Sequence, residues 1–285
     1  MNMETQTKAK PGAIFHFSCK VHGRSDGANA VKLAAYRAGS RLRSELTSRI
    51  HNYTRKKEVL WSEILAPRHA PAWAKDRSTL WNAVDRVEHR CDAQLAREVE
   101  VALPIVLSPT DHYDLLRQWA AETFISQGMV ADICYHAKRG NPHAHILLTL
   151  RDIDPDGFGK KNRSWNVPRL LETWRESWAS FVNHFLEKAG HDIRIDHRSF
   201  KRQGLDLNPT KHVGRPTPWN GQKVADVSME NQLTLIEREI RRQKRAQKKK
   251  AQPAKLLETE PRTTSPACMP TQRPPRVRRP RPARI

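Results

Sequence analysis

The sequence predicts an α+β fold with a mainly antiparallel sheet flanked by helices, and three observations carry that reading. Short runs such as AIFHFSCKV and QLAREVEVAL combine apolar and polar residues at the spacing of strands with a buried face. Two further runs, Met129–Ala137 and His143–Leu150, flank a tight KRGNP turn and read as an antiparallel hairpin. Between and after the strands lie helical stretches, the strongest being Pro168–Lys188, whose apolar face can cover a sheet.

In chain order, Ala13–Val21 is the first strand, with Phe15, Phe17 and Cys19 on one side and Ile14, His16 and Ser18 on the other. GRSDG follows as a turn, and Ser25 or Asp26 can cap a helix that runs to about Ser44. That helix is rich in alanine (Ala28, Ala30, Ala34, Ala35 and Ala38), and small side chains let it lie close to a sheet or a ligand backbone. Glu45–Arg68 reads as polar and irregular. Asp76–Arg90 reads as a helix, and Gln94–Leu103 as a strand closed by Pro104. Pro109 and Asp111 open a helix that reaches about Gln127, and the hairpin comes next. DIDPDGFGKKN reads as a loop. In Pro168–Lys188 the side chains of Trp174, Trp178, Phe181 and Phe185 fall at helical spacing and belong to a core.

Val224–Lys250 is a basic helix without a convincing apolar face, and eight prolines from Pro253 to Pro282 argue against a compact fold beyond it. The expected organisation is therefore an N-terminal extension (1–12), a globular domain (13–222), a basic helix (223–251) and a Pro/Arg-rich tail (252–285), disordered until it meets a partner.

Composition narrows the function classes. No run of 18 apolar residues exists, so no membrane span is expected, and the polar start MNMETQTKAKPG is not a secretory signal. Cys19, Cys91, Cys134 and Cys268 are scattered without a CxxC pair, which fits a reducing cytoplasm and argues against a cysteine-rich zinc module. There is no GxxxxGK phosphate loop and no internal repeat. The net charge is +21, and the last 45 residues hold 15 Lys and Arg against two Glu. Nucleic acid is the leading partner, ahead of an anionic membrane surface.

The chemistry concentrates in YHAKRGNPHAHILLTL. On a strand His143 and His145 share a face, and the tight turn can bring His136 beside them. Three neutral imidazoles converging on one face make a metal site with open positions. A metal facing a cationic groove suits phosphoryl chemistry, with either a bound water or a protein side chain as nucleophile. Of four tyrosines, Tyr36 lies in VKLAAYRAGSRLR beside Lys32, Arg37, Arg41 and Arg43. Nearby cations or a metal favour the phenolate, the form that attacks phosphorus. A packing role for Tyr36 is the competing reading.

GRSDGANAVKLAAYRAG, REVEVALP, GNPHAHILLT and IDHRSFKRQGLDLNPTKHVG, in that order, resemble the MobA/MobL family of plasmid mobilisation relaxases across roughly 13–214. The resemblance implies a relaxase-type HUH fold and a single-strand DNA transesterase. Tyr36 falls at the family's nucleophile, forming a 5′-phosphotyrosyl bond and freeing a 3′-hydroxyl at a transfer origin. His136, His143 and His145 fall on its metal triad, implying Mg²⁺ or Mn²⁺, although three imidazoles also suit Zn²⁺ and the identity stays open. Glu98 and Glu100 share a strand face that the resemblance places near the tyrosine, where one could accept its proton or orient a metal ligand; charge balance is the other reading. Lys32, Arg37, Arg41, Arg43 and Arg198 are the candidate DNA contacts. His197 and His212 match the last motif without an assigned role, and His16 reads as structural.

The resemblance also implies plasmid DNA at a transfer origin as substrate, accessory mobilisation proteins and a conjugative transfer apparatus as partners, and a cytoplasmic location with passage to a recipient cell. No helicase or primase region follows the last motif, so nicking and joining are the expected activities. Three alternatives stand beside this reading: a rolling-circle replication initiator, a DNA-binding protein without catalysis, and a hydrolytic metallonuclease.

Overall fold

The computed structural model describes residues 14–211, 213 and 217–255. The chain divides into two compact units, Met1–Arg198 and Ser199–Ile285. The first is built on a five-stranded sheet in the order β1 (Phe17–Gly23), β5 (Gln94–Ala102), β7 (Asn141–Leu148), β6 (Ala131–Lys138) and β4 (Val59–Leu65). Every neighbouring pair runs antiparallel. The expected α+β class with an antiparallel sheet is what the chain forms.

Strand alternation sorts the core onto the two sheet faces. On one, Val99, Val101, Ile133, Tyr135, Ala144, Ile146 and Leu148 are buried beneath α3 (Pro109–Thr123) and α4 (Pro168–Lys188). Here Trp119 lies 4.6 Å from Trp178, and Phe124 makes edge contacts with Trp119 and Trp174, both at 5.0 Å. The aromatic stripe of α4 is therefore core, as its spacing indicates. Trp178 is fully buried, so Trp178→Ala costs about 3–5 kcal/mol of stability. Urea unfolding followed by circular dichroism measures it; a loss below about 1 kcal/mol would contradict this packing account.

The opposite face carries α1 (Ala30–Ala38) and α2 (Arg77–Val87) over Ala96, Leu147 and Ile64. Ala30, Ala34 and Ala35 have no exposed surface, so the small residues of α1 do let it approach the sheet closely. Asp132 points to the same face and is buried, but its charge is satisfied. Arg77 donates to both of its oxygens, Trp81 Nε1 donates to Oδ2 at 2.9 Å, and α2 is thereby tied down.

Five sequence expectations are corrected. The helix after the first strand does not start at Ser25 or Asp26, since these lie in a short turn closed by Gly27 at φ +73°. Asn29 caps α1 instead, accepting from Lys32 N–H. That helix stops at Ala38 rather than Ser44, because Gly39 turns left-handed at φ +59° and its N–H returns to Ala35 O. Arg41 and Arg43 therefore sit exposed on β2 (Arg41–Arg43), paired with β3 (Ile50–Asn52). Glu45–Arg68 is not irregular: it holds β3 and the sheet strand β4, whose Ser62 and Glu63 mask the apolar alternation. DIDPDGFGKKN forms most of a small hairpin of β8 (Arg151–Asp154) and β9 (Gly157–Lys161), with Asp154 Oδ1 accepting from the N–H groups of Asp156 and Gly157 in its turn. The first strand begins at Phe17, four residues after Ala13.

In the second unit α5 (Gly221–Lys255) starts two residues before the expected basic helix and extends past residue 251. Within that unit Lys211 bonds Asn231 and Glu230, Arg241 pairs with Asp206, and Arg238 stacks on Phe200 at 4.8 Å. The division at 198/199 lies upstream of residue 222, where the sequence reading set its domain end. His212 and the tail from residue 256 lie outside the described residues, as does the N-terminal extension. No helix among the described residues is long and apolar enough to cross a membrane.

Candidate active site

The hairpin register brings the three histidines together. Lys138 pairs with Asn141 across a two-residue turn whose Gly140 adopts φ +72°, and this sets His136 directly opposite His143. His145, two residues on, lies on the same face. The ring centroids are 4.8–5.2 Å apart, and one nitrogen from each ring lies within 4.8 Å of the others.

Each ring also has one nitrogen already committed to an acceptor. His136 Nε2 donates to Arg37 O at 2.7 Å, His143 Nδ1 to Asn141 O at 2.8 Å, and His145 Nδ1 to Glu98 Oε1 at 2.7 Å. An imidazole that donates from one nitrogen presents a lone pair at the other. The triad thus offers His136 Nδ1, His143 Nε2 and His145 Nε2, a donor set that fits a divalent cation. Burial pushes His136 down to about 4, with the charges of His145, Lys56 and His143 adding to it and the bond to Arg37 O opposing. Burial lowers His143 as well, so both rings are neutral at pH 7 and ready to coordinate.

Glu98 is the hub of this face. Its side chain is only 6% exposed, and its two oxygens accept four hydrogen bonds. Oε1 takes Arg37 Nε and His145 Nδ1, both at 2.7 Å; Oε2 takes Arg37 Nη2 at 2.7 Å and His22 Nε2 at 2.6 Å. Burial alone would raise this carboxyl, but the bonds from His145, His22 and Arg37 and the guanidinium charge hold it well below the usual carboxylate range. An acceptor so occupied fixes the orientation of the His145 ring and is poorly suited to take a proton. The sequence left Glu98 as proton acceptor, as orienter of a metal ligand or as charge balance; in the structure its oxygens are filled by Arg37, His22 and His145. Glu100 lies opposite His145 in the register and is half-buried, and its charge bears on His143.

Tyr36 stands in the last turn of α1, 44% exposed, beside a cleft of about 380 Å³ lined by His22, Asp26, Lys32, Arg37 and Tyr53. Its helix is bound to the triad twice through the next residue. The Arg37 carbonyl holds His136, and the Arg37 guanidinium holds Glu98, which holds His145. Tyr36 itself packs edge-on against Tyr53 at 5.1 Å, with Lys56 Nζ 3.9 Å from its ring centroid.

The candidate DNA contacts fall in four different places. Lys32 is exposed and lines the cleft with Tyr36. Arg37 is not a free cation, because its fork is spent on Glu98 and its side chain is 16% exposed. Arg41 and Arg43 project from the β2–β3 ribbon, and Arg198 forms an ion pair of 2.7 Å with Asp196 in the segment after α4. His197 lies beside Glu172 at 3.6 Å, and His16 is exposed before β1.

The chain matches the MobA/MobL family over residues 28–218, a span that contains Tyr36, Glu98 and the whole triad. It belongs to that family. Among MobA/MobL-related proteins, the conjugal transfer protein TraA of Rhizobium radiobacter is 36% identical over 71% of this chain and 21% of its own length. Mobilization protein MobL of Acidithiobacillus ferridurans is 35% identical over 71% of this chain and 62% of its own. The chain therefore spans between a fifth and three-fifths of these relatives. A solved structure described as the molecular basis of vancomycin resistance transfer in Staphylococcus aureus superimposes with a TM-score of 0.63. It is 33% identical, and the match covers 66% of this chain and all of that one.

Within this MobA/MobL site the sequence reading missed His22, Tyr53 and Lys56. His22 lies next to last in β1 and gives no motif of its own. Tyr53 and Lys56 lie in HNYTRKK, whose polarity reads as loop, and only the return of the chain past Gly39 brings them to Tyr36.

Proposed function

We propose that this chain is the nicking and joining part of a conjugative mobilisation protein, a metal-dependent transesterase that cleaves one DNA strand at a plasmid transfer origin. The observation that carries the proposal is the double link between the tyrosine helix and the histidine triad through Arg37. A tyrosine, three imidazoles and the cleft that Lys32 lines are thereby fixed in one piece.

His136, His143 and His145 would hold a divalent cation, which when bound would supply Lewis-acid stabilisation of the phosphate's developing charge. Lys32 attracts the strand into the cleft through its phosphates. The Tyr36 oxygen attacks phosphorus in line, losing its proton, and the bond to the 3′ oxygen breaks. That oxygen takes up a proton and leaves as a 3′-hydroxyl, while the 5′ phosphate stays on Tyr36. The new phosphodiester keeps the bond energy, so attack by a 3′-hydroxyl rejoins the strand without an external energy source. Glu98 keeps His145 in the ligating tautomer throughout. Accessory mobilisation proteins, a transfer apparatus and a bacterial cytoplasmic setting complete the proposal, and Mg²⁺ or Mn²⁺ is the proposed metal. The basic second unit adds sequence-independent affinity for DNA that falls with salt.

The test is conversion of supercoiled plasmid carrying the cognate transfer region to open circles in Mg²⁺ or Mn²⁺. Open circles at one position, absent with EDTA, support the proposal; no conversion in either metal removes it. Glu98→Gln loses the carboxylate charge that holds Arg37, His22 and His145 together. Metal affinity should fall by about 10–100-fold, read by isothermal titration with Mn²⁺. An unchanged affinity would show that the Glu98 network does not support the triad.

A further inference from the structure

The sequence offers no reason to single out Lys56, yet its ammonium meets Tyr36 twice. A helix ends with carbonyls that lack intrahelical donors. At the end of α1 two of them are met from outside: Arg37 O by His136 Nε2, and Tyr36 O by Lys56 Nζ at 3.1 Å. The same ammonium lies 3.9 Å from the centroid of the Tyr36 ring, in cation–π range. It is not a casual surface lysine, since its side chain is 16% exposed and Glu58 stands 3.7 Å away as its counter-charge.

The chain is shaped to deliver it. Gly39 takes a left-handed turn, and a Cβ there would lie 3.1 Å from Val59 Cγ2 and 3.5 Å from Lys56 Cβ. Ser40 O accepts from Tyr53 N–H and Tyr53 O from Lys56 N–H, both at 3.0 Å. The segment is thus pinned against the end of α1, with Tyr53 at the edge of the ring and Lys56 over it.

We propose that Lys56 is a positioning residue for Tyr36, clamping the ring and the carbonyl of the nucleophile so that its oxygen is held for in-line attack on the scissile phosphate. This rests on the nicking activity proposed above. A tyrosine that is 44% exposed would otherwise sample several rotamers, each misdirecting the oxygen. Orientation errors of about 1 Å cost on the order of 100-fold in rate. The Lys56 ammonium faces the Tyr36 carbonyl and ring, with Glu58 as its counter-charge. Its loss should therefore alter the rate of the bound complex more than DNA affinity.

The test uses the full chain as wild type, Lys56→Met and Lys56→Arg, with two readouts. The first is fluorine NMR of protein labelled with 3-fluorotyrosine, the Tyr36 signal being identified by its loss in Tyr36→Phe. Lys56→Met should move and narrow that signal, and Lys56→Arg should keep it near its wild-type position. The second is single-turnover adduct formation on oligonucleotides tiling the cognate transfer region, at saturating DNA. Lys56→Met should react about 10–100-fold more slowly, with DNA Kd changed by less than about threefold, and Lys56→Arg should recover most of the rate. An unmoved fluorine signal overturns the clamp, and so does a rate loss that appears only as weaker binding, which would make Lys56 a phosphate contact. If the wild type forms no adduct, the nicking proposal fails, the positioning role falls with it, and the fluorine signal separately reports whether Lys56 holds the ring.

Discussion

Tyr36→Phe stops strand cleavage, reducing single-turnover nicking by on the order of 10⁴-fold or more, as removal of a covalent nucleophile does in other enzymes. The substitution deletes one oxygen and keeps the ring that meets Tyr53 and Lys56. Because Tyr36 is partly exposed, unfolding free energy should change by no more than about 0.5 kcal/mol. The expected pattern is a folded protein that binds its DNA at wild-type affinity and does not cut it. End-labelled oligonucleotides resolved on a denaturing gel measure the rate. A variant that keeps a tenth of wild-type cleavage would mean that the attacking oxygen belongs to another group.

His143→Ala gives the second large effect. His143 is the rim member of the triad: its Nδ1 is tied only to the nearby Asn141 carbonyl, whereas His136 is buried against α1. Removing it leaves the α1 connections to His136 and Glu98 in place, so the fold should survive. With one of three ligands gone, affinity for Mn²⁺ should fall by about 100-fold or more, beyond the loss typical of supporting residues. Nicking should fall with it and recover in part at high metal concentration. Calorimetry and circular dichroism separate the two possibilities, and unchanged Mn²⁺ binding would remove His143 from the metal site.

The triad was legible because two simple rules determine it. Side chains on a strand repeat every two residues, which places His143 with His145, and a tight turn fixes the partner strand to within a residue, which adds His136. The buried alanines of α1 and the aromatic face of α4 were legible in the same way. Harder to see was the choice between Glu98 and Glu100. Alternation puts both on one face, and what distinguishes them is the arrival of Arg37 from α1 and His22 from β1, two tertiary contacts with no local signal. The end of α1 was missed because RLRS continues a helical pattern, while Gly39 ends it through a backbone conformation. β4 was missed because an edge strand can carry Ser62 and Glu63 without cost, so polarity alone read as loop. Lys56 and Tyr53 came with it, since their approach to Tyr36 depends on where β4 returns.

The basic composition points to a polyanion but does not by itself select the cations at the site. Arg37, adjacent to the tyrosine, looks like a phosphate contact in sequence, and in the structure it links the tyrosine helix to Glu98 and His136. Charge near a nucleophile can serve the protein's own geometry before it serves the substrate.

The most direct measurement joins metal and nucleophile in one experiment. The protein is incubated with single-stranded oligonucleotides tiling the cognate transfer region, in Mn²⁺ and in EDTA, then denatured, digested and mapped by mass spectrometry. The account predicts a nucleotide-modified peptide with the phosphate on Tyr36, present with Mn²⁺ and absent with EDTA. Metal-dependent cleavage that leaves every tyrosine unmodified would contradict it and assign the chemistry to a metal-bound water.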